Sequence, residues 1–288
     1  MNKNIDLIDS IKKQYNHFSK GQKLIANYII SSYDKAAFMT ASRIGDLVGV
    51  SESTVVRFAN TLGYDGYPSL QSELQELIKS KLTTVQRLSM SEEDYSNKYV
   101  GVKKILKTDM DNIKDTADEI DCEVFEKVVD SILSAKRVYI LGLRSSNTLA
   151  AYLGFYLGLI LDDVTVVSLG ISDIFEQLIR VKKGDLVIGI SYPRYSRRTL
   201  DALAYVKEQE CKIIGITDSH ASPLVDMSDH TLYAKSNMVS FVDSLVAPMS
   251  LINALIVSIG MKLKNEATES FEELEHIWEE YNIYDRKL

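Results

Sequence analysis

Two hydrophobic periods divide the chain. Through residue 80, apolar side chains recur at three- and four-residue intervals, the spacing of helices that bury one face. That pattern predicts helices at about 5–14, 21–32, 41–48, 52–62 and 68–80. Residues 81–97 lose the period and read as a linker, and a helical pattern returns from Tyr99 to Ile120 through Val102, Ile105, Leu106, Met110 and Ile113. Beyond residue 123 the pattern changes class. Short apolar runs at 137–141, 164–169, 185–190, 212–217 and 230–234 alternate with helical candidates at 146–161, 172–182, 197–209 and 222–228. Strands apolar on both faces and separated by helices predict a parallel sheet in an α/β/α sandwich. The expected organisation is therefore an all-helical domain over 1–80, a linker and connecting helix over 81–122, and an α/β domain over 123–288.

The segment 41–62 is the most specific piece of the helical part. Gly49 lies between the apolar positions Ile44, Leu47 and Val48 and the N-cap candidate Ser51, where a left-handed glycine ends one helix and redirects the chain. In the second helix Val55, Phe58, Ala59 and Leu62 fall at i, i+3, i+4 and i+7, a core stripe. The opposite side carries Ser53, Arg57 and Asn60 or Thr61. Two short helices at a sharp turn, with a polar outer face on the second, is the plan of a helix-turn-helix that reads the DNA major groove. An ordinary helical hairpin within a core shares the same spacing.

The rest of this part narrows the choice. SKGQKLIANYI at 19–29, IGDLVGVSESTVVRFANTLGY at 44–64 and DGYPSLQSEL at 65–74 closely resemble the N-terminal DNA-binding domain of RpiR/MurR-type transcriptional regulators. The resemblance implies a double-stranded DNA operator as partner. Ser53 and Arg57 are then expected at base edges or nearby phosphates, and Lys20, Ser51 and Thr54 on the backbone. One small helix on one half-site is rarely enough, so a homodimer or tetramer is expected.

Charge at first opposes that reading, because the chain carries a net −7. Residues 1–80 hold nine Lys and Arg against eight Asp and Glu, so the acidity belongs to the remainder. Lys12, Lys13, Lys20, Lys23, Arg43 and Arg57 are the cations available to phosphates. The cysteines, Cys122 and Cys211, lie far apart without metal-ligand neighbours and are expected as free thiols in a reducing cytoplasm. The opening MNKNIDLIDSIKKQ has no apolar core of a secretory signal. Residues 245–261 are apolar but interrupted by Pro248, Ser250, Asn253 and Ser258, which suits a buried helix better than a membrane span.

In the α/β part the chemistry is expected beyond the carboxyl ends of the strands. The loops there read GLRSSNTLA from Gly142, SYPRYSRRTL from Ser191 and DSHASPL from Asp218. Hydroxyls and arginines gathered at strand ends suit an anion, above all a phosphoryl group. Helix capping accounts for single serines there but not for Arg144, Arg194, Arg197 and Arg198 together. Residues 123–262 resemble a SIS (sugar isomerase) domain, the phosphosugar-binding module of these regulators, through ILGLRSSNTLA, GISYPRYSRRTL and GITDSHASPL. The resemblance places Ser146, Ser191 and Ser196 at its phosphate-loop positions, with Ser145 beside them and Arg144, Arg194 and Arg197 adding charge. It also marks two departures. Arg144 stands where SIS sequences have a second glycine, and Pro193-Arg194 stands where they have Ser-Gly, so a more anionic or differently shaped effector is admitted.

No G-x-G-x-x-G or Walker loop supports a nucleotide, and no cofactor is expected. A SIS-fold isomerase with a helical appendage is the alternative, and it needs a general base. His220, beside Asp218, is the one histidine in a strand-end loop; the residues give no paired carboxylates, triad or metal-ligand cluster. A third alternative is an interaction protein using its helices for assembly only. The stretch 269–284 reads as an amphipathic helix whose stripe of Phe271, Leu274, Ile277, Trp278 and Tyr281 suits a core or a dimer contact.

Overall fold

The computed structural model describes residues 7–81, 83–91, 98–170, 172–238 and 241–284, and the chain divides between Arg87 and Leu88 into two compact units. The first is helical: α1 (Leu7–Gln14), α2 (Lys20–Ala36), α3 (Ala41–Val48), α4 (Glu52–Thr61) and α5 (Gly66–Lys81). A further helix, α6 (Thr84–Ser91), occupies part of the stretch that reads as linker from sequence, and residues 92–97 of that stretch lie outside the described residues.

Local signals start these helices. Ser19 opens α2 with a capping box, its hydroxyl accepting from the Gln22 amide while Gln22 returns the bond to the Ser19 amide. The α2 pattern ends at residue 32 in sequence, and Ser32 indeed leaves helical geometry (φ −147°, ψ 42°), but the helix resumes to Ala36. Gly49 caps α3 at φ +77°, the turn between α3 and α4. Ile25, Ile29, Ile44, Val55, Phe58 and Leu70 are fully buried in the core of this unit. Phe58 meets Phe18 edge to face at 5.1 Å between ring centroids. Tyr67 fastens the far side: its hydroxyl donates to the Met39 carbonyl at 2.7 Å, and burial pushes it up to about 12. Leu47, an apolar position of the α3 pattern, faces outward instead.

The second unit is a five-stranded parallel sheet in the order β2-β1-β3-β4-β5: β1 (Val138–Gly142), β2 (Val164–Val167), β3 (Leu186–Ile190), β4 (Lys212–Thr217) and β5 (His230–Tyr233). Its helices are α7 (Lys98–Glu119), α8 (Cys122–Ser134), α9 (Ser146–Leu157), α10 (Ile174–Gln177), α11 (Arg197–Glu208), α12 (Val246–Lys262) and α13 (Lys264–Glu280). Alternation along the strands builds two cores. Val138, Ile140, Ile188 and Ile214 face α8, α9 and α12, while Tyr139, Leu141, Val187 and Ile213 face α10 and α11. Asp185 is buried beneath this sheet and is paired through both carboxylate oxygens with Arg137.

Three elements depart from the sequence pattern. Helix α8 is absent from that reading, although Phe125, Val128, Val129 and Ile132 keep the i, i+3, i+4, i+7 period and Asp121 caps them through the Glu123 and Val124 amides. The helix expected over 172–182 is the single turn α10, because Gln177 turns its side chain back to the Ser168 backbone. The helix expected over 222–228 is one 3-10 turn, Val225–Met227. At the other end, α12 is a core helix, and α13 leaves it at a bend of 101°. Among the described residues no single helix is long and apolar enough to cross a membrane.

Candidate functional site

In the helical unit, the α3–α4 corner is built by close approach. A Cβ on Gly45 would stand 2.7 Å from the Val50 carbonyl oxygen, so only glycine lets the turn close over α3. The closed corner turns the polar side of α4 outward. Ser51, Ser53 and Arg57 are exposed and Thr54 is half-buried, with the Ser51 hydroxyl 2.9 Å from those of both Ser53 and Thr54. Arg57 reaches Thr54 Oγ1 at 3.4 Å. Lys20 is exposed in the first turn of α2.

The corner also forms a groove of about 490 Å³ lined by Ser19, Gln22, Thr54, Arg57, Asn60 and Thr61. Sequence reasoning missed Ser19 and, with more consequence, Gln22. Its amide donates to Thr61 Oγ1 at 2.9 Å, and the Thr61 hydroxyl donates to the Arg57 carbonyl at 2.8 Å, so α2 buttresses the exposed face of α4. Asn60 accepts from the Gly66 amide and braces the following turn. These bonds lie on a surface open to solvent.

In the α/β unit, the order 2-1-3-4-5 puts the topological switch between β1 and β3, where ligands of such sheets bind beyond the strand ends. Gly142 ends β1, and a Cβ there would meet the Ser146 carbonyl oxygen at 2.5 Å, so glycine is what brings α9 against the strand end. Arg144 follows at φ +58°, in the left-handed region. The arginine thus keeps the backbone that glycine would adopt freely, at a cost of roughly 1–2 kcal/mol. Its side chain and that of Ser145 are exposed, while Ser146, the first residue of α9, is buried.

The β3 loop is more tightly knit. Ser191 is buried, and its hydroxyl accepts from the Ser196 amide at 3.3 Å; Ser196 in turn caps α11 through the Thr199 amide. The Tyr195 hydroxyl donates to Asp218 Oδ1 at 2.9 Å, tying this loop to the end of β4. Thr217 Oγ1 stands 2.8 Å from the Ser191 carbonyl, 3.2 Å from Asp218 Oδ1 and 2.8 Å from Ser222 Oγ. Arg194 is exposed on the loop. Arg197, grouped with it in sequence, lies along α11 against Asp201 at 3.6 Å with its side chain 91% exposed, and Arg198 pairs with Asp173. The Asp173 carboxyl is held below its ordinary range chiefly by the Phe175 amide and next by Arg198.

Four buried polar atoms sit around these strand ends without a hydrogen-bond partner: Asn147 Oδ1, Tyr192 Oη, Thr199 Oγ1 and Ser219 Oγ. Burial raises the Tyr192 phenol well above its ordinary value, with Asp218 adding to the effect, so it remains a neutral donor. Sequence reasoning named none of the four. All four lay in view inside the loop motifs, and only the structure separates them from their neighbours. His220 packs against Tyr233 with ring centroids 4.1 Å apart and the rings tilted by 49°, and it is exposed. Among the described residues no group of three or more His, Cys, Asp or Glu is placed to hold a metal ion.

Comparison with known proteins agrees with this division. The model of the rpiR-family helix-turn-helix domain matches residues 5–81, and that of the SIS domain matches residues 131–258. An uncharacterised HTH-type transcriptional regulator from Clostridium perfringens is 25% identical over 257 residues, covering 87% of this chain and 91% of the relative. The sugar isomerase domain of an RpiR transcription factor from Sphaerobacter thermophilus is 29% identical with a TM-score of 0.58, covering 60% of this chain and 97% of that one. The NanR protein of Vibrio vulnificus, solved in complex with ManNAc-6P, shares the fold at 20% identity and a TM-score of 0.57, over 94% of this chain and 98% of that one.

Proposed function

We propose, for a chain that belongs to the RpiR family of helix-turn-helix regulators with a C-terminal SIS domain, that it binds an operator through α4 and is controlled by a phosphorylated sugar or similar small anion at the strand ends. In this reading α4 enters the major groove, Ser53 and Arg57 meet base edges, and Lys20, Ser51 and Thr54 hold the sugar-phosphate backbone. A homo-oligomer presents two such heads to a pseudo-palindrome.

The observation that carries the effector half is the gathering of unpartnered buried polar atoms at the β1, β3 and β4 ends. A buried donor or acceptor without a partner costs about 1–3 kcal/mol, which a ligand bearing complementary groups recovers on binding. Around them stand the hydroxyls of Ser145, Ser146, Ser191 and Ser196 and the charges of Arg144 and Arg194, a set for phosphoryl oxygens. The buried carboxylate of Asp218 suits a different part of the ligand, since it accepts from the hydroxyls of a polyol. One anionic end and one hydroxyl-bearing end describe a sugar phosphate. The phosphosugar complex of NanR, which shares this fold, is consistent with that class.

The test is a gel-shift of the full chain against DNA upstream of its own coding region, with a panel of sugar phosphates. The expected result is a specific complex whose affinity one of them changes by tenfold or more, and which Ser191→Ala with Arg194→Ala renders unresponsive without loss of DNA binding. A complex indifferent to every phosphorylated sugar, or a double variant that still responds, overturns the effector assignment.

A further inference from the structure

Helix α7 is built inside out. The side chains it buries among the described ones are polar: Asn112 is fully buried and exchanges hydrogen bonds with the Asn237 backbone, and Thr116 is buried and accepts from the Lys235 amide. Its large apolar side chains face away from the domain. Val102, Leu106, Met110 and Ile113 are exposed, Met110 at 70%, and their four-, four- and three-residue spacing draws one stripe along the helix. At 100° per residue, Lys103, Lys107 and Lys114 form a row along one side of that stripe. Among the described residues none of the three lysines is in an ion pair, and the acids Asp111, Asp115 and Asp118 fall beyond them.

Helix α13 carries the opposite charge on the same plan. It bears seven glutamates and one lysine in 17 residues. Only Ala267 is buried, Leu274 and Trp278 are half-buried, and Phe271 and Ile277 stay exposed beside them. Glu272, Glu275 and Glu279 run along the edge of this apolar strip, lining a shallow groove with Phe271. An apolar stripe with a lysine border and an apolar stripe with a glutamate border are complementary in both respects.

We infer that α13 of one copy of this chain lies along α7 of a second copy, Phe271 and Trp278 meeting Leu106 and Met110 while the glutamate row faces the lysine row. A twofold axis makes the contact twice and closes the assembly as a dimer. The inference concerns the second unit alone and does not depend on the operator or the effector.

The experiment reverses each row in the full chain and measures self-association by sedimentation. Chains carrying Lys103→Glu, Lys107→Glu and Lys114→Glu, or Glu272→Lys, Glu275→Lys and Glu279→Lys, are each expected to dimerise at least about tenfold more weakly, since like charges then face each other. Mixed in equal amounts, the two altered chains restore both contacts and form a mixed dimer, seen by native mass spectrometry. A contact between α7 and α13 within one copy gives no such recovery. Failure of the mixture to pair, or association unchanged by either reversal, overturns the inference; unchanged association assigns the copy contact to another face, such as the exposed Phe155, Val257 and Met261. Because reversals of exposed lysines and glutamates leave the core untouched, circular dichroism of each altered chain is expected to match the parent.

Discussion

The groove beside α4 and the strand ends of the sheet are both rich in hydroxyls and arginine, but they hold their polar groups in opposite states. On the α4 face, Ser51, Thr54, Thr61 and Gln22 bond to one another in reach of water. At the strand ends, Asn147, Tyr192, Thr199 and Ser219 present polar atoms that are buried and unpaired. The first arrangement costs nothing to leave empty and suits a broad, strongly charged partner whose affinity comes from phosphates and falls with salt. The second carries a standing penalty that a small, complementary ligand removes. A surface that waits and a site that is under-satisfied are what one expects of an output and an input.

The contrast can be broken at four points of decreasing size. Phe58→Ala removes a fully buried ring from the helical unit and is expected to cost about 3–5 kcal/mol. It abolishes DNA binding while the thermal transition of the α/β unit, followed by calorimetry, stays in place; a shift of both transitions would join what the comparison separates. Saturation of the strand-end site at a hundred times Kd should stabilise the α/β unit by about 2.7 kcal/mol, and the melting of the helical unit should not follow. Arg57→Ala is expected to cost about 1–3 kcal/mol in operator affinity, read by fluorescence anisotropy against random DNA as competitor. Equal loss on both DNAs would reduce Arg57 to a phosphate contact. The smallest effect has the opposite sign. Arg144→Gly relieves roughly 1–2 kcal/mol of left-handed strain and gives back about 0.4–1 kcal/mol through the freer unfolded chain. A net gain of about 0.5–1 kcal/mol in urea unfolding is expected, together with weaker effector binding.

How far the sequence discloses this molecule follows from where each signal lies. The inner strands β1, β3 and β4 were legible because they are buried on both faces, so each appears as a largely apolar run; Lys212–Thr217 agrees to the residue. The helix-turn-helix was legible because Gly49 and the Val55, Phe58, Ala59 stripe are local. The extent of α10 was not, because Gln177 chooses the Ser168 backbone over the helix, a bond across nine positions. Helix α7 is more instructive. Its stripe of Val102, Leu106 and Met110 looks like a face packed on the domain, but the domain takes the Asn112 and Thr116 face instead. Periodicity reveals that a stripe exists and is silent on which neighbour it meets. At the strand ends, the motif positions Ser146, Ser191 and Ser196 could be named from resemblance, whereas the unpaired atoms emerge only from three-dimensional packing.

Thr217 has one proton to give, and two atoms that can only accept, the Ser191 carbonyl and Asp218 Oδ1, lie within reach of it. Asp218 Oδ1 already receives the Tyr195 hydroxyl, so the two donors compete for it while the Ser191 carbonyl lies beside them. A guest that supplies its own hydroxyl to Asp218 settles that rivalry, sending the threonine proton to the backbone at Ser191 and freeing Tyr195 from its tether. The adjoining ends of the third and fourth strands would thereby translate occupancy into a changed loop, with no hinge and no moving domain required at the first step.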